Sequence, residues 1–302
     1  MNTVTAASTP ERILQRLDWQ VIRRLDGLLQ GNYRTLFYGN GVDFADVREY
    51  QPGDDVRYID WNVTARMDTP YVRQYVEDRE ITAWFLLDLS PSVDFGTIDT
   101  ERQKRTVLID FVTTLARLLT RHGNRVGAMF YGSTSVERTI PPRGGRPQVL
   151  RLIDDLLKYP RLTAAPFTDL TPLLESGRSS IKRRSLIFVI SDFISAPGWE
   201  RPLNLLNRRH EVLAVRLFDP REAELPDVGP LIMQDAETGE QLYVDTHDKR
   251  FRARFESAAA QREAALSEAF KRSGVDAVSL STDEDLVRAI VRMATLRHGR
   301  RR

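Results

Sequence analysis

The feature that most constrains the fold is an alternation of short apolar runs with helical patterns, which fills the chain from residue 80 onward. Because parallel strands need long crossover connections, usually helices, this order predicts a largely parallel sheet with helices on both faces. The expected fold class is therefore α/β, and 135–141 is expected to pair antiparallel with the strand before it. The predicted parallel strands are 81–87, 125–131, 185–190, 211–217 and 275–280.

Two of the connecting helices have recognisable starts. The stretches 100–121 and 284–296 carry apolar residues at helical spacing, behind capping-box patterns at Thr100 to Gln103 and Ser281 to Glu284. Residues 228–246 have the pattern of a β-hairpin inserted before the next helix.

The chain before this region has a different character. Residues 10–29 are predicted to form an amphipathic helix, with Thr9 as its N-cap and Pro10 at its first position. The stretch that follows is rich in Gly, Asp, Tyr and Arg without helical periodicity, so it is expected to form short strands and turns. We therefore divide the chain into an N-terminal helix with a β-rich extension, 1–78, and an α/β domain, 79–302.

Composition narrows the class of protein. No apolar run approaches the roughly 20 residues of a membrane-spanning helix, and no secretory signal pattern opens the sequence, so a cytoplasmic protein without a transmembrane segment is expected. The 44 Lys and Arg nearly balance the 42 Asp and Glu, so no global field directs the chain to nucleic acid. The absence of cysteine excludes disulfides, thiol catalysis and zinc–thiolate sites.

The segment DLSPSVDFG carries the candidate chemistry. It follows the first predicted parallel strand and places Asp88, Ser90 and Ser92 at alternate positions in a turn. In open α/β sheets ligands gather at the carboxyl ends of strands, and oxygen donors of this kind suit Mg²⁺ or Mn²⁺. The alternative is an ordinary turn, in which the same groups cap the next helix or accept hydrogen bonds from local amides.

Two other loops are expected to meet this turn. Asp192 follows another apolar strand, and Thr168 lies in a turn before a short helix. The combination resembles the metal-ion-dependent adhesion site (MIDAS) of the von Willebrand factor A domain, a Rossmann-like fold. The resemblance implies that the hydroxyls of Ser90, Ser92 and Thr168 face the metal. It also implies that Asp88 and Asp192 act through water or orient the hydroxyls.

The threonine of this set has two alternatives. The family usually has a glycine beside it, whereas Pro166 and Phe167 precede Thr168 here. Thr163 or Thr171 therefore remains open as the ligand.

A second resemblance lies upstream. The segments GNGVDF, VREYQPGDDVRYIDW, AR and YVRQY resemble the signature of domain-of-unknown-function family 58, bacterial proteins that carry an A-type domain. They lie at 39–44, 47–61, 65–66 and 71–75. Genes of this family commonly neighbour those of MoxR-type AAA+ ATPases, so the resemblance implies a chaperone-like adaptor that partners such an ATPase or its client protein.

The signature segment also predicts local contacts. Its arginines are expected to pair with carboxylates, and Tyr58, Ile59 and Trp61 are expected to pack inward. The alternative is a second recognition surface, in which Arg48, Arg57 and Arg66 receive an acidic element of a partner. These six residues lie at 48–66.

These observations predict a non-enzymatic, metal-dependent protein-binding module. Two carboxylates balance the charge of Mg²⁺ or Mn²⁺ without filling its coordination shell, so an acidic residue of the partner can complete it. The rival is an Mg²⁺-dependent phosphohydrolase using Asp88, which is disfavoured because Ser90 stands where a second carboxylate is usual. No G-x-S-x-G, phosphate-binding glycine loop or H-E-x-x-H motif is present, and the four histidines are expected at the surface or at helix ends.

Overall fold

The computed structural model describes residues 9–28, 43–76, 80–94, 103–162, 167–235 and 238–299. Its strands are β1 Asp43–Glu49, β2 Tyr71–Val76, β3 Thr82–Asp88, β4 Arg125–Tyr131, β5 Val136–Arg143, β6 Leu186–Ser191, β7 Glu211–Phe218, β8 Pro230–Gln234, β9 Gln241–Asp245 and β10 Asp276–Ser281. The central sheet has the order β10-β7-β6-β3-β4-β5. Its strands are parallel except β5, which pairs antiparallel with β4 as the sequence predicts.

The helices are α1 Pro10–Leu17, α2 Arg23–Leu28, α3 Trp61–Met67, α4 Lys104–Arg121, α5 Arg146–Lys158, α6 Thr171–Ser180, α7 Glu200–Arg209, α8 Lys249–Ser273 and α9 Leu286–Gly299. Short 3₁₀ turns lie at Val56–Tyr58, Pro91–Asp94 and Pro220–Glu222. In these ranges no helix combines the length and the apolar character that crossing a membrane requires.

Both faces of the central sheet are covered, which agrees with the predicted α/β class. Side chains of a strand alternate between faces, so Phe85 and Leu87 of β3 join one core while Trp84 and Leu86 join the other. The first core lies under α1, α4, α5 and α9, and the second under α6, α7 and α8. The apolar strand sequences follow from this burial on both sides.

Two predicted helix starts are displaced. The helix predicted from residue 100 begins at Lys104, with Gln103 as an N-cap that makes no side-chain cap bond; Thr100 lies outside the described residues. The second predicted capping box is wrong, because the Asp285 carboxylate accepts the amide hydrogens at the start of α9, at 3.0 and 3.2 Å. A short acidic side chain in the residue before the helix is placed to satisfy those amides.

The N-terminal helix forms with its predicted cap, the Thr9 hydroxyl accepting the Arg12 amide hydrogen at 3.4 Å. A π-helical turn, Asp18–Ile22, joins α1 to α2. Because a π turn adds a residue to the helical repeat, the apolar stripe beyond it is displaced. Leu25 is fully buried, whereas Leu28 is 64% exposed.

The extension contains a separate two-stranded antiparallel sheet, β1 with β2. Arg48 donates two hydrogen bonds to the Asp54 carboxylate, at 2.6 and 2.8 Å, and Arg57 pairs with Asp55 at 2.8 Å, so two of the predicted arginine–carboxylate pairs are present. The expectation that Tyr58 and Trp61 pack inward is wrong, since they are 48% and 69% exposed. Asp60 caps α3 through its side chain, and these polar cap bonds fix the helix start while the adjacent indole remains in solvent.

Another two-stranded sheet lies between β7 and α8. Strands β8 and β9 pair antiparallel over Pro230–Gln234 and Gln241–Asp245, within the segment where the sequence predicts a hairpin.

Candidate functional site

The candidate site lies where the strand order of the central sheet reverses. The chain runs from β3 to β4 on one side and later returns to β6 on the other side of β3. Asp88 is the last residue of β3, and Asp192 directly follows β6. The carboxyl ends of adjacent parallel strands therefore bring the two predicted carboxylates together at the position where open α/β sheets bind ligands.

The turn after β3 orients Asp88 and gathers two hydroxyls. One Asp88 carboxylate oxygen accepts the amide hydrogen of Ser90 at 3.0 Å, and the other accepts the hydroxyl of Ser191 at 2.7 Å. The hydroxyl oxygens of Ser90 and Ser92 are 3.1 Å apart. The structure thus brings three of the five predicted site residues together in one turn.

The loop after β6 holds Asp192 in a similar way. Its Oδ1 accepts the amide hydrogen of Ile194 at 3.0 Å, and its Oδ2 accepts a hydrogen bond from the ammonium of Lys104 at 3.2 Å. Phe193 between them has φ +57°, an unusual value for a residue other than glycine. Its amide donates to the Ser191 hydroxyl at 2.9 Å, which fixes this strained turn to the end of β6.

Thr168 lies in a segment fastened to that same loop. Its carbonyl accepts the amide hydrogen of Ala196 at 2.8 Å, and the Leu170 amide donates to the Ser195 hydroxyl at 3.0 Å. Thr168 is fully buried. Of its alternatives, Thr171 is the first residue of α6, and Thr163 lies outside the described residues.

Burial gives this site its electrostatic character. Asp88, Ser90 and Thr168 are fully buried, and Ser92 and Asp192 are nearly so. Burial and the neighbouring Asp192 carboxylate raise the pKa of Asp88 to about 6. The site is therefore short of positive charge at neutral pH.

Three further side chains contribute to the site but were missed from the sequence: Lys104, Ser191 and Glu222. The ammonium of Lys104 contacts both Asp192 and Glu222. A signal for Lys104 was available, because it shares a helical stripe with Leu108, which is fully buried. Glu222 is positioned by a capping box in the 3₁₀ turn after β7. This local pattern does not predict that Glu222 lies next to Lys104.

The oxygen donors fit a hard divalent cation. Carboxylates and hydroxyls are the ligand types that Mg²⁺ and Mn²⁺ prefer, and burial together with the Asp192 carboxylate raises the pKa of Asp88. Within the described ranges no three His, Cys, Asp or Glu side chains gather as metal ligands. A cation at this site would therefore be held by two carboxylates, Asp88 and Asp192, and by the nearby hydroxyls.

One histidine lies at a helix end, as expected, and is also buried. His210 follows the last residue of α7 and is 3% exposed. Burial and the nearby Arg209 lower its pKa. It lies outside the candidate site, so no histidine is assigned a chemical role there.

Two weak similarities to solved structures are to proteins of Bacteroides. An aerotolerance-related membrane protein of B. fragilis is 12% identical, with TM-score 0.49, and a conserved hypothetical protein BatB of B. thetaiotaomicron is 15% identical, with TM-score 0.47. Each similarity covers 72% of this chain and 99% of the other. They are too weak to add to what the sheet order of this chain already shows.

Sequence relatives are considerably closer. Uncharacterized protein Rv1480 of Mycobacterium tuberculosis and uncharacterized protein Mb1516 of Mycobacterium bovis are both 38% identical over 287 residues, covering 95% of this chain and 89% of theirs. The family described as "Protein of unknown function DUF58" matches residues 46–265. Because that match covers well over half of the sequence, this protein belongs to the DUF58 family.

Proposed function

We propose that this protein is a non-enzymatic binding module with a von Willebrand factor A-type domain, which captures a carboxylate of a partner protein through Mg²⁺ or Mn²⁺. The proposed ligand set is Asp88, Ser90, Ser92, Thr168 and Asp192. The observation that carries the proposal is the burial of Asp88 beside Asp192 and two converging hydroxyls, at the point where the sheet order reverses. Two buried carboxylates without a cation between them are costly, and this cost is what a bound cation would remove.

The chain's own groups would prepare the site before any partner arrives. The Ser90 amide and the Ser191 hydroxyl each donate to one Asp88 oxygen, so the carboxylate is held in one orientation. A bound divalent cation would supply Lewis acidity toward a carboxylate oxygen of the partner. Because the proposed ligands are buried, the loops that carry them must open before a partner side chain reaches the site.

The partner we propose is a MoxR-type AAA+ ATPase or its client protein. This choice rests on the resemblance of the signature segment at 47–61 to domain-of-unknown-function family 58, whose genes commonly neighbour those of MoxR-type ATPases. One structural neighbour is described as aerotolerance-related, which is a description of that protein, and the partner of this chain is left to experiment.

Metal uptake is the first test. Chelator-treated protein should bind Mg²⁺ or Mn²⁺ in titration calorimetry, and both Asp88→Asn and Ser90→Ala should lose most of that uptake while circular dichroism stays unchanged. The matched control is Asp110→Asn. Asp110 is also buried, but it is not part of the site and pairs with Arg16 at 2.5 Å. Wild-type protein that takes up neither ion would refute the metal site.

Partner capture is the second test. A MoxR-type ATPase should be retained on immobilised wild-type protein with Mg²⁺ and released by a chelator, and it should not be retained on Asp88→Asn. Retention that ignores both the chelator and the substitution would contradict a metal-bridged contact. A phosphatase assay with Mg²⁺ completes the set, because turnover that Asp88→Asn abolishes would favour the enzymatic alternative.

A further inference from the structure

Lys104 is an unusual neighbour for a cation site. Its side chain is fully buried, and its ammonium donates to Asp192 Oδ2 at 3.2 Å and to the Ser92 carbonyl at 3.4 Å. It also contacts Glu222 Oε1. A buried ammonium is costly unless carboxylates surround it, and here two of them do.

The location of this lysine in its helix cannot explain it. Lys104 is the first residue of α4, where the helix dipole disfavours positive charge. The ammonium contacts the Asp192 and Glu222 carboxylates, and its contacts with Asp192 and with the Ser92 carbonyl join it to the proposed ligand set.

The charges of this neighbourhood have a simple sum. Asp88, Asp192 and Glu222 supply three negative charges when ionised, and Lys104 supplies one positive charge. Among these four groups the carboxylates outnumber the ammonium, so they favour a bound cation. Glu222 is held by its own contacts, since its Oε2 accepts the Asp219 amide hydrogen at 3.3 Å.

We propose that Lys104 determines the cation affinity of this site by competing with the metal for the negative charge of Asp192, and that Glu222 retains the ammonium when a metal is bound. This inference rests on the proposed function, because it requires a metal at Asp88 and Asp192. In the metal-free protein the ammonium partly fills the electrostatic role of the cation. It thereby weakens metal binding by the chain alone, and a partner's carboxylate would restore the missing attraction.

The test compares charge variants with Mn²⁺ alone as the probe. The ammonium of Lys104 repels a nearby cation, and a like charge within several ångströms changes an ionisation equilibrium by about ten- to a thousandfold. Lys104→Met removes this repulsion, so it should bind Mn²⁺ at least about tenfold more tightly than wild type. Glu222→Gln should bind it about tenfold more weakly, because the ammonium then loses its alternative partner. Lys158→Met is the matched control, because Lys158 is an exposed lysine paired with Asp154 and should leave the affinity unchanged. Titration calorimetry gives the affinities, and the Mn²⁺-induced rise in Tm gives an independent readout.

The outcomes separate this inference from the function it rests on. Equal Mn²⁺ affinity of wild type and Lys104→Met would overturn the competition and leave the metal site standing. Tighter uptake by Lys104→Met than by wild type would support the competition. No uptake by either would overturn the metal site and this inference together. If Lys104→Met does not fold, Glu222→Gln decides, because Glu222 is partly exposed and an affinity equal to wild type would overturn the competition.

Discussion

Replacing Asp88 with Asn should stabilise the metal-free protein, although Asp88 is fully buried and hydrogen-bonded. Burial and the Asp192 carboxylate raise the pKa of Asp88 from 3.8 to about 6. A carboxyl whose pKa is higher in the folded state than in the unfolded state penalises folding wherever it is ionised, which here means above about pH 6. The penalty is about 3 kcal/mol, and it fades as the pH falls toward 4.

The asparagine removes this charge but weakens one contact. The Ser90 amide can still donate to the side-chain oxygen, whereas the Ser191 hydroxyl loses a charged acceptor, which costs about 1 kcal/mol. We therefore expect Asp88→Asn to raise the free energy of unfolding by about 2 kcal/mol at pH 8. At pH 4.5, where Asp88 is protonated in the folded wild type, we expect little or no gain.

Urea denaturation followed by tryptophan fluorescence, in chelator at both pH values, measures the effect. Asp110→Asn should behave oppositely and lose about 1 kcal/mol at pH 8, because its carboxylate is paired with a half-exposed arginine. Adding Mg²⁺ should then stabilise wild type and leave Asp88→Asn unchanged. If Asp88→Asn is less stable than wild type at pH 8 in chelator, the unbalanced charge on which the site argument rests is absent.

Three other predictions test the fold around the site. Ser191→Ala removes a hydroxyl that bonds the Asp88 carboxylate and a backbone amide, so urea denaturation should show a loss of about 2–4 kcal/mol, against about 1 for Ser185→Ala. The pKa of His210 is lowered in the folded protein, so the unfolded chain binds a proton at this histidine at higher pH than the folded chain does. Stability should therefore fall as the pH drops below about 6.5, and less steeply in His210→Gln. A Cβ at Gly127 would lie 2.9 Å from a backbone oxygen of β5, so Gly127→Ala should lower stability by about 1–3 kcal/mol, and an unchanged Tm would contradict this packing.

The sequence predicted the sheet well because its strands are buried on both faces. A short, continuous apolar run such as LIFVI fits a strand that is buried on both faces of a sheet. The alternation of strands and helices then indicates parallel pairing. Helix ends were less certain, because several polar residues near each start can cap. At α9 the cap is Asp285, although the predicted pattern placed it at Ser281.

The candidate site was predictable only where a motif is local. Asp88, Ser90 and Ser92 lie in one turn, and Asp192 meets them because carboxyl ends of adjacent strands share an edge. Lys104 comes from the first turn of a helix, and its role depends on which loops that turn faces. The exposure of side chains in the extension was also unpredictable. Trp61 is a residue type common in cores, but it directly follows the N-cap Asp60 and is exposed.

Two buried aspartates show why we assign the site a role beyond stability. Asp110 lies in α4 and pairs with Arg16, so its charge is balanced where it stands. Asp88 faces another carboxylate, and the ammonium of Lys104 contacts Asp192 and Glu222. A buried carboxylate normally has a partner of opposite charge, as Asp110 does and Asp88 does not. Exceptions of this kind concentrate at functional sites. A packed core would gain from losing the charge of Asp88, whereas a site that must attract a divalent cation requires it.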